Sequence, residues 1–225
     1  MIQGVVFDID DTLYLERDYV RSGFLYVARH VAATVEEARE IADWLWRAFE
    51  RGVRGDTFDQ LLAARPDLAA RVTAIDLIAA YRSHVPTISL LPGMQEVLDD
   101  LSAAGLRLGV LSDGPIESQR AKAEALGLDA WFDPVLLTAA RGRGFAKPGT
   151  LGFEWIASSW RLPHPELAYV ADNPLKDFRG PRRLGWRTIR LRLPPQLRQA
   201  IDPIDEIDGP DVEVDTPADI VGQLV

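Results

Sequence analysis

Apolar residues recur along the chain in two periods, and the change between them divides it. Residues 2–8 carry Ile2 and then Gly4-Val5-Val6-Phe7, a β-branched run too short for a helix, which predicts a buried strand. From residue 16 to 84 the pattern is helical throughout. Val20, Phe24, Val27 and Val31 fall at three- and four-residue steps between Tyr19 and Ala33. Thr34-Val35-Glu36-Glu37 has the form of a capping box and predicts a second helix, carrying Ala38, Ile41, Trp44, Leu45 and Phe49 and stopping near Gly52. Asp56 is placed to cap a third that ends before Pro66, and a fourth covers about Arg71 to Arg82. Beyond residue 86 short apolar runs alternate with helical segments. Strands are expected at 106–111, 134–138, 167–171 and 186–191. Helices are expected from Pro92-Gly93 to Ala104, over 116–126 and 150–160, and from Asp177 to near Gly185. Residues 193–210, rich in Pro and Asp, read as a surface loop, followed by a last short strand at 211–214 and a helix at 217–224. Alternating strands and helices imply a parallel sheet. The fold class is therefore α/β, a doubly wound parallel sheet. Residues 1–15 and 86–225 form the core domain and 16–85 an inserted α-helical cap domain.

The polar residues that break this pattern fall just after strands. Asp8, Asp10 and Asp11 follow the first, Ser112-Asp113-Gly114 the second, and Asp172 the strand at 167–171, with Asp177 five residues on. Lys147-Pro148 ends the loop Arg141-Gly142-Arg143-Gly144-Phe145-Ala146. A central strand has no partner for such charges along its length, so they belong past its end. In a parallel sheet those ends lie on one edge, where ligands bind. An Asp after a strand is by itself often only a helix cap. Several converging on one edge with a lysine are not explained that way. Asp8 and Asp10, two apart, point to the same side of an extended chain, and two carboxylates aimed at one spot ask for a metal, a shared proton, or both.

The segment Asp8-Ile9-Asp10-Asp11-Thr12-Leu13, with Ser112, Lys147-Pro148, Asp172 and Asp177 following in order, resembles the motif series of the haloacid dehalogenase-like (HAD) hydrolases over most of residues 1–190. The resemblance implies Mg²⁺ held by the Asp8 side chain, the Asp10 backbone carbonyl and the Asp172 side chain, a ligand set suited to a hard cation. It implies Asp8 as nucleophile, forming an aspartyl-phosphate, and Asp10 as general acid and then base. Lys147 steadies Asp8 and the transferring phosphoryl oxygens. Ser112 and Asp113, with Lys147, form the phosphate-binding set, and Asp177 holds a metal water or the lysine. The expected activity is cleavage of a small phosphomonoester. A phosphomutase is the nearest rival, and a non-catalytic phosphate-ligand or partner-binding module on the same fold is the alternative from another class. Two departures stand out. Asp113 replaces the family's frequent Asn, and a carboxylate so placed should turn away from phosphate or pair with a cation. Gly149 stands where a bulkier polar residue is common. Asp11 reads as structural or helix-directing.

Composition narrows the setting. With 47% hydrophobic residues in 225 the chain can build a sizeable core. It has no cysteine, which excludes disulfides and thiolate metal sites. A net charge of −9 argues against nucleic acid as a partner. No apolar run approaches the ~18 residues of a membrane span, and the chain enters a strand at once, so a cytoplasmic location is expected. His30, His84 and His164 are scattered and read as structural. Trp44 and Trp46 cannot share one helix face, so one is expected in the core and the other at a surface. Arg51, Arg54, Arg141 and Arg143 lie in glycine-containing loops and read as solvated charge. Nothing in the pattern sets the oligomeric state.

Overall fold

The computed structural model describes residues 1–225. By compactness the chain divides into an α/β unit, residues 1–17 and 88–225, and a helical unit, residues 18–87. Strand β1 (Gly4–Phe7) leads into α1 (Glu16–Val31), and α2 (Val35–Glu50), α3 (Thr57–Ala64), α4 (Pro66–Ala69) and α5 (Ala74–Ser83) follow. The rest runs α6 (Met94–Ala103), β2 (Arg107–Ser112), α7 (Ile116–Ala125), β3 (Val135–Leu137), α8 (Leu151–Trp160), β4 (Leu167–Ala171), α9 (Arg179–Leu184), β5 (Arg187–Leu191) and β6 (Val212–Val214).

All six strands are parallel, in the order β3-β2-β1-β4-β5-β6. The chain steps outward from β1 to β3 on one side and from β4 to β6 on the other. The crevice between the ends of β1 and β4 is therefore the topological switch point, where sheets of this kind bind ligands. Burial of β1 on both faces explains its unbroken apolar run: Val5, Val6 and Phe7 are inaccessible. One core cluster joins Val6, Leu111 and Tyr169 of the sheet to Phe153, Ile156 and Trp160 of α8.

In the helical unit α2 starts where expected. Thr34 Oγ1 accepts from Glu37 N at 3.1 Å, but the Glu37 carboxylate reaches Ala33 N instead of closing the box. Asp56 precedes α3 without capping it and accepts from Gln60 Nε2. Pro66 does more than end α3: it opens α4 from the first-turn position, so five helices stand where four were expected. The last begins at Ala74 because Thr73 and Asp76 form a full capping box there. Trp44 and Trp46 are both half-buried, neither fully in the core. Trp46 stacks on Phe49 and lies under the Arg21 guanidinium. Arg54 is packed as well, over the Phe49 ring and donating to Phe49 O and Val53 O. His84 is buried with its Nδ1 2.6 Å from Tyr81 O, and His164 Nδ1 accepts from Trp186 Nε1.

Candidate active site

Asp8 continues the β1 ladder through Asp8 N to Val170 O, and Asp172 follows β4 directly, so both carboxylates open onto the switch point. One carboxylate oxygen each of Asp8, Asp172 and Asp177 lies within 4.8 Å of the others, and all three residues are buried. Lys147 enters among them with an inaccessible side chain. Its Nζ is 3.0 Å from Asp8 Oδ1 and 2.7 Å from Asp177 Oδ1, and it donates to Tyr169 OH at 2.9 Å. Burial alone would lower the Lys147 pKa, but Asp177 and Asp8 hold it well above its ordinary value, so it stays charged. Asp177 Oδ2 also accepts from Asn173 N at 2.9 Å, which explains why Asp177 precedes α9 instead of starting it.

One lysine does not balance three carboxylates. Burial, and then the charges of Asp177, Asp11 and Asp8, push Asp172 well above the usual carboxylate range. Its Oδ2 is buried without a hydrogen-bond partner. A buried acceptor of this kind costs free energy unless something fills its place. The two uncompensated negative charges match a divalent cation, and an all-oxygen donor set suits Mg²⁺.

The Asp10 side chain is outside this carboxylate group. Its Oδ1 accepts from Lys122 Nζ at 2.6 Å and from Tyr14 OH, and its Oδ2 from Gln119 Nε2 at 2.8 Å. Burial would raise Asp10, but Lys122, Tyr14 and Gln119 outweigh it and lower it to about 2. Burial and the Asp10 charge push Tyr14 up, so its hydroxyl remains a donor. These partners have no signature in the sequence beyond the three-residue spacing of Gln119 and Lys122 on α7.

Ser112 ends β2 with its Oγ buried and unpartnered, a hydroxyl available to a bound oxyanion. Asp113 is turned toward the segment that follows β3. Its carboxylate accepts from Thr138 Oγ1 at 2.7 Å and from Lys147 N at 3.1 Å, with Lys176 Nζ 4.0 Å away. It thus fixes the loop that delivers Lys147, in keeping with its departure from Asn. Gly149 has a similar local reason: a Cβ there would sit 2.9 Å from Ala146 O.

Asp11 occupies the left-handed region at φ 54, which Asp tolerates. Its Oδ1 accepts from Glu16 N at the start of α1, and its Oδ2 from Leu197 N. Burial raises it to about 7 against those two amides. Residues 193–201 are more than a surface loop. Gln196 is buried and donates to Asp11 O and Leu191 O. Arg190 of β5, inaccessible to solvent, donates to Asp172 O, Arg198 O and Ile201 O and pairs with Glu213.

The model of the haloacid dehalogenase-like hydrolase family matches residues 2–185. The chain is 30% identical over 203 residues to the glyceraldehyde 3-phosphate phosphatase of Methanocaldococcus jannaschii, covering 85% of each chain. It is 27% identical over 228 residues to the protein of the same name from Methanopyrus kandleri, covering 98% of this chain and 96% of that one. Among solved structures, a magnesium-bound HAD hydrolase of Bacillus subtilis superposes with a TM-score of 0.66 at 19% identity, covering 99% of this chain and 98% of that one, a likeness of fold. The chain belongs to the haloacid dehalogenase-like hydrolases. Within that family it is a HAD-type phosphatase. No helix is long and apolar enough to cross a membrane.

Proposed function

We propose that the chain cleaves a small phosphomonoester with Mg²⁺, through an aspartyl-phosphate on Asp8. The observation that carries this is the buried group Asp8, Asp172 and Asp177 around one lysine, with an unpartnered Asp172 oxygen at the switch point. Asp8, Asp172 and the Asp10 backbone carbonyl would hold Mg²⁺. The bound ion supplies charge neutralisation, without which a phosphate dianion would meet a net negative pocket.

In the first step an Asp8 oxygen attacks phosphorus as the ester oxygen leaves. Asp10 gives that oxygen its proton, so the alcohol departs neutral. Lys147 offsets charge on Asp8 and on the phosphoryl oxygens, and Ser112 donates to one of them. In the second step Asp10, now a carboxylate, takes a proton from water as the water attacks phosphorus, releasing inorganic phosphate and restoring Asp8. Lys122 disfavours the protonated Asp10 that step one needs. The negative charge of a bound phosphate opposes the lysine and favours it. Asp177 keeps Lys147 in place. We assign discrimination among leaving groups to the helical unit, the part of the chain that interrupts the core between β1 and β2.

The test is phosphate release from glyceraldehyde 3-phosphate, the compound for which the archaeal relatives are named, and from p-nitrophenyl phosphate. Activity should vanish in chelator and return with Mg²⁺, while Ca²⁺, which prefers more ligands and looser geometry, should substitute poorly. Full turnover in chelator would remove the metal from the mechanism. A phosphate isomer released in place of inorganic phosphate would indicate a mutase.

A further inference from the structure

Helix α7 has an unusual composition for an element that packs on a sheet. Of its ten residues, Ile116-Glu117-Ser118-Gln119-Arg120-Ala121-Lys122-Ala123-Glu124-Ala125, the most buried include Gln119 at 2% exposure and Lys122 at 5%. Long polar side chains are seldom buried so fully unless a specific partner takes them. They sit three residues apart, one above the other on the same helix face. Both end on the Asp10 carboxylate, one on each oxygen.

Two further features fit the turn after β2 to this arrangement. Gln119 Nε2 also donates to Asp113 O at 2.7 Å, tying the end of β2 to the segment after β1. Gly114 stands at φ 141, and a Cβ there would lie 2.6 Å from Gln119 Nε2. A larger residue would both strain the turn and displace the glutamine. With Tyr14 OH joining Lys122 on Oδ1, the Asp10 carboxylate is held by donors from α7 and from the segment after β1, which fixes its side-chain rotation.

We infer that Lys122, supported by Gln119, is a positioning residue for Asp10 and sets the rate of proton transfer without touching substrate. The inference rests on the reading of Asp10 as general acid and base. A carboxylate serving in both steps must keep one geometry while its charge changes, and displacement of about 1 Å can cost ~10²-fold in rate. Lys122 suits this role because its ammonium, fixed 2.6 Å from Asp10 Oδ1, donates to that oxygen whether or not the other carries the proton. A residue that only packed α7 on the sheet would have no preference among leaving groups.

The experiment compares single-turnover rates of the Mg²⁺-loaded enzyme on glyceraldehyde 3-phosphate, an alkyl phosphate, with the nitrophenolate burst from p-nitrophenyl phosphate. Lys122→Met keeps length and burial but removes the charge. The lost hold on Asp10 outweighs its easier protonation, so the variant should slow the alkyl substrate ~10–100-fold and leave the burst within about threefold, because a nitrophenolate leaves without a proton. KM should change little, Lys122→Arg should recover part of the rate, and Lys122→Met added to Asp10→Asn should cost nothing further. Gln119→Met should show the same pattern more weakly, and it stands in if Lys122→Met does not fold. Equal slowing of both substrates, or a double variant slower than Asp10→Asn alone, would overturn the inference. If Asp10→Asn itself treats the two substrates alike, the acid–base reading fails and takes the inference with it. If Asp10→Asn discriminates and neither α7 variant does, the inference alone is wrong.

Discussion

Carboxylates in the helical unit lie at the surface beside arginines and helix N-termini, whereas those at the sheet edge are buried against one another. Glu37 accepts from Ala33 N and pairs with Arg71 and Arg65, Asp67 pairs with Arg65, and Asp76 accepts from Thr73 N. Ala33 N, then Arg71, lower Glu37. Arg65 lowers Asp67 to about 2, and Thr73 lowers Asp76. At the sheet edge burial does the reverse, raising Asp172 far above the ordinary range and Asp11 to about 7. The same chemical group contributes to stability in one unit and opposes it in the other. A fold keeps buried like charges where something other than stability needs them, and strongly raised acids in a crevice mark such places.

The largest expected effect separates reaction from fold. Asp8→Asn keeps the shape of the side chain and removes its nucleophilicity, so turnover should fall by roughly three orders of magnitude or more with an unchanged circular dichroism spectrum. Near-normal turnover would overturn the assignment of the nucleophile. Next comes metal linkage. Mg²⁺ should raise the melting temperature of the native protein, since a ligand that binds only the folded state stabilises it. Asp172→Asn should abolish that rise and increase the metal-free melting temperature by a few degrees, on the order of 1 kcal/mol of relieved repulsion. A metal-free variant less stable than the native protein would show that the carboxylate crowding is not a cost.

Acid should distinguish the units more gently. Glu37, Asp67 and Asp76 have lowered folded values, so their stabilisation is present above the ordinary carboxylate value near 4 and is lost as pH falls through the folded ones. Asp172 has the opposite sign: its contribution is present below the ordinary value and lost as pH rises through the folded one. The protection of α2 and α5 against hydrogen exchange, relative to the intrinsic rate at each pH, should therefore fall between about pH 4 and 2, and Glu37→Gln should flatten the change in α2. An equal loss of protection across β1 and β4 would argue against the contrast. The smallest effect is local. Thr73→Ala removes the N-cap of α5 and should cost about 1 kcal/mol with no change in activity.

Much of the α/β unit was legible because its strands are continuous apolar runs ending in charge. β4 falls at 167–171 as the pattern predicts, and Asp8, Lys147, Asp172 and Asp177 meet because parallel strands share an edge. The hidden part consists of polar residues buried by partners distant in sequence. Lys122 and Gln119 lie on the helix expected over 116–126, and nothing local indicates that both face Asp10, more than a hundred residues away. Arg190 sits in a strand where a charge suggests an exposed edge, yet three carbonyls from two separate segments surround it. Tyr169 is indistinguishable from a core aromatic until its hydroxyl is found on Lys147. In the helical unit the error was one of boundaries. Apolar spacing located the packed faces, but the Pro66 and Thr73 starts depend on capping chemistry that overrides it.

The family match ends at residue 185, but the hydrogen bonds that support the buried carboxylates do not. Arg190 holds the Asp172 carbonyl, and Gln196 and Leu197 hold the carbonyl and carboxylate of Asp11. Glu213 of β6 is the counter-charge for that buried arginine. Arg190, Gln196, Leu197 and Glu213 thus brace the strand ends that carry Asp11 and Asp172. A chain trimmed at the edge of the family match would retain the whole motif series and lose the scaffold behind it. Any fusion or minimal version of this enzyme has to be cut beyond β6.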